Sequence, residues 1–299
     1  MLRTRGRLGS PVSRRTLFLA GTATATALLT APSAHASNGV TGRLRALEEE
    51  YGARLGVYAR NVRTGRTVRH RADTLFPICS VFKPLAAAAV LRDLDRNGEV
   101  LSRRIHYTAD DLVDNSDRTR ENLATGMTIA ELCDVAIRWS DNTAGNLLLR
   151  ELGGPTAITR FARSLGDPVT RLDRWETELN SAEPWRITDT TSPRAIGRTY
   201  ARLVLGDALS RADRSRLTHW LLHNRTSGTR LRAGLPGTWT VADKTGGGAY
   251  ATNNNVGIAW TEDGTPLVLA ILSRTFDEDA VQDDTLIART AAALAGALG

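Results

Sequence analysis

The chain has 299 residues, with 39 basic and 32 acidic side chains and a formal net charge of +7. That length suits one large domain or two interlocked ones with ample core. No basic block or aromatic-interleaved patch follows the N-terminal segment, which argues against nucleic-acid binding.

Residues 1–36 read as an export leader. Arg3, Arg5, Arg7, Arg14 and Arg15 form a basic front, no acid occurs before Glu48, and an apolar stretch follows over 17–31. Ala34-His35-Ala36 then gives an A-x-A cleavage signature before Ser37. Ser13-Arg14-Arg15-Thr16-Leu17-Phe18-Leu19 resembles a twin-arginine signal, which implies export of a folded protein to the cell envelope or medium. The apolar stretch is short for a spanning helix. Removing five arginines and no acid takes the charge from +7 to +2. The remaining protein is expected to be a monomer that needs neither membrane nor cofactor.

In the exported part, a helix is expected over 43–51. Strands over 55–62 and 67–71 are joined by a hairpin at Arg63-Thr64-Gly65. Helical stretches follow over 80–95, 109–112, 128–138 and 142–152, each bounded by Gly, Asn, Asp or Ser. Residues 166–193 carry Pro168, Pro184 and Pro193 and lack periodicity, and a loop that long is usually functional. Helices resume over 192–205 and 210–223, and His219 and His223 on the second lack the acid of a zinc-binding helix. Strands return over 238–243, 255–260 and 267–273, and a helix over 283–298 closes the chain. Strands at both ends and helices between them imply an α+β fold with one antiparallel sheet. The expected division is 37–75 with 224–299 as an α/β part, and 76–223 as an inserted helical part.

Only two of the 39 basic residues are lysines, Lys83 and Lys244. A chain that otherwise uses arginine needs something there that a guanidinium cannot supply: a proton that can leave, or a compact point charge. Lys83 ends Ser80-Val81-Phe82-Lys83 at the start of a predicted helix, so Ser80 and Lys83 share a face. Ser80 sits where free backbone N–H groups favour an oxyanion, and Lys83, desolvated by Phe82, Leu85 and the alanine run, is a candidate base for it. The bland alternative is a helix cap beside an exposed lysine. Lys244-Thr245-Gly246 follows a strand signal and precedes Gly247 and Gly248. The glycines allow close approach of a ligand, and the ammonium and hydroxyl suit a carboxylate; the alternative is a Gly-rich turn. Ser140-Asp141-Asn142 lies between two helices, where each residue is a favoured cap.

Taken in order, S-x-x-K, S-D-N and K-T-G at separations of about 60 and 104 residues form a set that resembles the class A serine β-lactamases and penicillin-binding proteins. Arg174-Trp175-Glu176-Thr177-Glu178-Leu179-Asn180 is similar to the class A omega-loop motif, expected here over about 171–189. Glu176 and Asn180, at i and i+4, are close enough to share one water. The resemblance spans essentially the whole exported chain.

It implies an acyl-enzyme hydrolase of penicillins, and some cephalosporins, that confers antibiotic resistance. Ser80 would be the nucleophile, Lys83 and Glu176 would share its activation, Glu176 would drive deacylation, and Ser140 would relay a proton to the lactam nitrogen. Asn142 would bind the substrate's side-chain amide. Lys244 and Thr245, followed by Gly246, would hold the carboxylate, and the N–H groups of Ser80 and Gly247 would form the oxyanion hole. The resemblance further implies an Arg174–Asp189 ion pair and a cis Glu176–Thr177 peptide. The alternatives are a D,D-peptidase and a non-hydrolytic β-lactam or peptidoglycan sensor.

The chain also departs from the family pattern. Gly247 replaces a frequent Ser, Thr or Ala, Asn115 replaces a frequent aromatic, and Asn253 stands near the place of an arginine that some members use. Arg230 matches the alternative arginine. Ala87 and Gly248 occupy the family's disulfide partner positions for Cys133 and Cys79, which implies two free thiols.

Overall fold

The structure, a computed structural model, describes residues 34–299. The expected leader falls almost wholly outside these residues. The twin-arginine and cleavage assignments therefore rest on sequence alone.

Five antiparallel strands form the central sheet: β1 (Arg54–Asn61), β2 (Thr67–His70), β3 (Thr240–Gly248), β4 (Thr252–Trp260) and β5 (Pro266–Arg274), in the order β2-β1-β5-β4-β3. The α+β expectation holds: the two ends of the chain meet where β1 pairs with β5 in the register Val57↔Ile271. Alternate residues of a strand face opposite sides. In β5, Leu267, Leu269 and Ile271 point into one core and Val268, Ala270 and Leu272 into the other. A strand covered on both sides reads as a continuous apolar run.

The first face is covered by α1 (Ala34–Glu50) and the closing α8 (Asp284–Leu298), through Leu44, Leu47, Ile287 and Leu294. The second face meets the helices that lie between the strands in sequence. At their centre a 3-10 turn, Cys79–Phe82, runs into α2 (Lys83–Ala89) and then a π turn, Val90–Leu94. Packed around α2 are α3 (Ile129–Arg138), α4 (Asn142–Glu151), α5 (Thr156–Ser164) and α7 (Arg211–Leu222). Ala86, Ala87, Ala88 and Ala89 are all buried, and their small side chains let the neighbours approach closely.

The structure differs from the sequence reading in particular places. Helix α6 (Pro193–Val204), counted with the helical part, lies on β1, β4 and β5. Its Ile196, Tyr200 and Leu203 share one apolar core with Tyr58 of the sheet and Leu148 of α4. Helix α5 was not expected. Its buried Ala157, Ile158, Phe161 and Ala162 mark a narrow apolar stripe after Pro155. The third strand was expected to end at 243, but β3 continues through the Lys-Thr-Gly motif to Gly248, because β4 pairs with it as far as Gly248↔Thr252. The turn follows at Ala249–Ala251 rather than at the glycines.

Candidate active site

The site lies where β3, the head of α2, the α3–α4 junction and the loop before α6 converge. Each contributor is held locally. Cys79 and Ser140 have positive φ, 44° and 60°, as does Asn115 at 56°. Non-glycine residues rarely adopt this conformation, and it concentrates at functional sites. Beyond Ser140, Asp141 caps α4 by accepting from Ala144 N at 2.9 Å, and it also accepts from Thr119 N at 3.0 Å. Those bonds fix the corner that presents Ser140 and Asn142.

Ser80 is buried in the 3-10 turn, and its hydroxyl donates to Glu176 Oε1 at 3.4 Å. Lys83 is 0 % exposed. Its ammonium donates to Ser140 O at 2.8 Å and Asn142 Oδ1 at 2.6 Å, and lies 3.1 Å from Glu176 Oε1. Three donors thus meet three acceptors. One carboxylate oxygen faces both the hydroxyl and the ammonium. The other, Oε2, accepts from Asn180 Nδ2 at 2.5 Å. Asn180 Oδ1 is buried with no protein partner.

Two residues that the sequence reading passed over hold this cluster. Asn146 Nδ2 donates to Glu176 O at 2.8 Å, and Asn146 Oδ1 accepts from Glu176 N at 2.9 Å. A signal existed, since Asn146 lies one turn beyond Asn142 on α4. Gly145 makes room: a Cβ there would stand 3.0 Å from Lys83 Cε. The loop carrying Glu176 is tied by Arg174, whose Nε donates to Asp189 Oδ2 at 2.6 Å and whose Nη1 donates to Ser181 Oγ at 2.8 Å. The Glu176–Thr177 peptide is cis.

Across the cleft, Lys244 is also 0 % exposed. Its ammonium donates to Ser140 Oγ at 3.0 Å and Thr245 O at 2.8 Å. No carboxylate lies within ion-pair distance of it among the described residues. Burial, and then the charges of Lys83 and Arg230, hold its pKa well below the usual lysine value. Arg230 donates from Nε to Asp284 Oδ1 at 2.7 Å, from Nη1 to Gly246 O at 3.2 Å and from Nη2 to Gln282 Oε1 at 3.1 Å. Asn253 Nδ2 donates to the same Asp284 oxygen at 3.0 Å. The sequence had given no cue to Gln282, just before α8, or to Asp284, the first residue of α8.

The two cysteines are free and buried, and burial pushes both thiols far up, which makes them poor nucleophiles. A Cβ at Gly248 would lie 3.0 Å from Cys79 Sγ, so Gly248 faces that thiol with nothing to bond to it.

The sequence-expected residues thus form one cleft with two poles. Ser80, Lys83, Glu176 and Asn180 make a charge-matched pole suited to moving a proton. Lys244, Thr245 and Arg230 make a cationic pole suited to an anion, and Ser140 lies between the two.

Comparison with known proteins places the chain among beta-lactamases. A family model described as the beta-lactamase enzyme family matches residues 39–298. A beta-lactamase of Streptomyces fradiae is 58% identical over 96% of this chain and 97% of its own length. One from Streptomyces albus G is 59% identical over 96% and 98%. A solved beta-lactamase structure from Streptomyces albus G superposes with a TM-score of 0.86 at 62% identity, covering 87% of this chain and 100% of that one. A beta-lactamase structure from Desulfarculus baarsii gives a TM-score of 0.86 at 44% identity. The chain belongs to the beta-lactamase enzyme family.

Proposed function

We propose that this chain hydrolyses the β-lactam ring by the class A route, through an acyl-enzyme on Ser80. In acylation, Ser80 Oγ attacks the lactam carbonyl and its proton passes to the Glu176–Lys83 pair. The ring C–N bond breaks, and the nitrogen takes a proton relayed by Ser140 from the Lys83 side. Lys83 donates to the Ser140 carbonyl and Lys244 to the Ser140 hydroxyl, so the relay requires that hydroxyl to turn toward the Lys83 ammonium. In deacylation, Glu176 takes a proton from water, the resulting hydroxide adds to the ester carbonyl, and Ser80 leaves with the proton returned. Each backbone donor of an oxyanion hole, here the N–H groups of Ser80 and Gly247, typically supplies about 3–4 kcal/mol.

The observation that carries the hydrolytic reading is the Glu176–Asn180 pair. Asn180 offers a buried, unpartnered carbonyl oxygen beside a carboxylate that already faces Ser80. A buried polar atom left unpaired is costly unless water serves it. A water held between Asn180 Oδ1 and Glu176 would be aligned on the ester. Asn142 Oδ1 accepts from Lys83, and Asn142 Nδ2 donates to Asp114 O at 2.9 Å, so contact with the substrate's side-chain amide requires sharing one of those atoms.

The reading extends to a monomer exported through the twin-arginine pathway that confers resistance to β-lactams. No described helix is long and apolar enough to cross a membrane. The test is a stopped-flow assay of residues 37–299 with benzylpenicillin and a chromogenic cephalosporin. Sustained turnover of many equivalents is expected. A burst of one equivalent followed by silence would overturn hydrolysis in favour of stable acylation, and no burst would remove Ser80 from the mechanism.

A further inference from the structure

No side chain projects from the last three residues of β3, Gly246, Gly247 and Gly248, yet the space beside Gly247 is filled. A Cβ built on Gly247 would stand 2.7 Å from Gln282 Nε2 and 3.1 Å from its Oε1. The carboxamide of Gln282 therefore lies where a side chain at 247 would be. It is held at both ends: Oε1 accepts from Arg230 Nη2 at 3.1 Å, and Nε2 donates to Gly248 O at 3.3 Å. A carboxamide nitrogen carries two N–H donors, and Gly248 uses one. Gly247 is two residues from Thr245 on the strand, so the two face the same side. The second N–H thus lies on the strand face that carries the Thr245 hydroxyl, while Lys244 reaches the cleft from the other face toward Ser140.

We infer that Gln282 is a specificity-determining residue of the anion subsite. Its carboxamide stands in for the side chain that Gly247 lacks and donates its remaining N–H to the substrate carboxylate. The inference rests on the proposed function, because it takes the substrate to be a β-lactam whose carboxylate reaches Lys244 and Thr245. It selects β-lactams that carry a carboxylate beside the ring nitrogen. Gln282→Glu keeps the shape but brings a negative charge to that carboxylate and draws on Arg230.

The experiment measures the rate of Ser80 acylation by rapid-quench mass spectrometry, with benzylpenicillin and with its uncharged methyl ester. Acylation is read whether or not the enzyme later deacylates. Gln282→Ala should slow acylation by the acid roughly tenfold, as expected for one hydrogen bond to a charged group, and Gln282→Glu should slow it more. With the ester, both variants should stay within about twofold of the parent protein. Gly247→Ser should be impaired alone, because its side chain meets the carboxamide. The double variant Gly247→Ser/Gln282→Ala should recover most of the rate, the serine hydroxyl taking the amide's place. A purely structural role would lower the melting temperature and slow acid and ester alike, which would overturn the inference. So would an unaffected Gln282→Ala, or losses that simply multiply in the double variant. Failure of the parent protein to be acylated at all would instead overturn the reading of Ser80 on which it rests.

Discussion

Lys83 and Lys244 are the same residue type at the same burial, yet they stand in opposite electrostatic settings. Lys83 has a carboxylate at 3.1 Å and an acceptor for each of its three N–H groups. Lys244 has a hydroxyl, a carbonyl and no carboxylate within ion-pair reach among the described residues, with Lys83 and Arg230 adding repulsion. Burying a charge without a counter-ion is costly. The protein balances one lysine internally and leaves the other to be balanced by an anion from outside. On the proposed mechanism, the pole that exchanges protons is complete in itself, and the pole that recognises substrate is completed by the substrate.

The sharpest way to break this comparison is at Glu176. Glu176→Ala removes both the counter-charge of Lys83 and the base for water. Deacylation should fall by roughly 10²–10⁴, the usual worth of general-base catalysis. The acyl-enzyme should then persist as a mass increase equal to the antibiotic. An unchanged turnover rate would show that the carboxylate is not the base.

Arginine substitution at each lysine comes next. A guanidinium stays protonated at all accessible pH, so Lys83→Arg should slow acylation by roughly 10²-fold or more if Lys83 exchanges a proton. Lys244→Arg retains the charge and should act mainly through KM. Equal losses at the two positions, measured as separate kcat and KM effects, would erase the distinction.

The pH profile tests Lys244 without a mutation. Its pKa is depressed, so it loses its charge at a lower pH than a free lysine does. Affinity for carboxylate-bearing substrates should be full below that point and should fall as pH rises through it. The alkaline limb of kcat/KM should therefore begin below the ordinary lysine range. In Lys244→Arg it should move to higher pH. A limb that stays in place would belong to another group.

The smallest expected effect is at Asn146. Asn146→Ala removes two hydrogen bonds to the Glu176 backbone. At about 1 kcal/mol each, it should cost ~2 kcal/mol in chemical denaturation, with a partial loss of deacylation because Glu176 is less firmly placed. A loss of stability with deacylation untouched would mean that other ties, such as Arg174–Asp189, suffice to position Glu176.

Much of this protein was determined by its sequence alone. The hairpin at Arg63-Thr64-Gly65, the antiparallel sheet shared by the two ends and the order of the longer helices follow from periodicity and turn residues. The four motifs, each weak by itself, together pointed to Ser80, Lys83, Ser140, Glu176, Asn180 and Lys244, because their order and spacing as a set are unusual, and Arg230 came from the family resemblance. Local signals failed where partners lie far apart in the chain. β3 runs on through three glycines because β4 pairs with it, and a cross-strand ladder overrides weak strand propensity. Gly145 and Gly247 leave room for Lys83 Cε and the Gln282 carboxamide, which are remote from them in sequence. Asn146, Asp284 and Gln282 carry no motif; only the folded chain brings them to Glu176 and Arg230. The difference between the two lysines was likewise decided by tertiary structure. The sequence singled both out, but a counter-charge at 3.1 Å for one and none within ion-pair distance of the other among the described residues depends on which segments the sheet and the loop before α6 bring together.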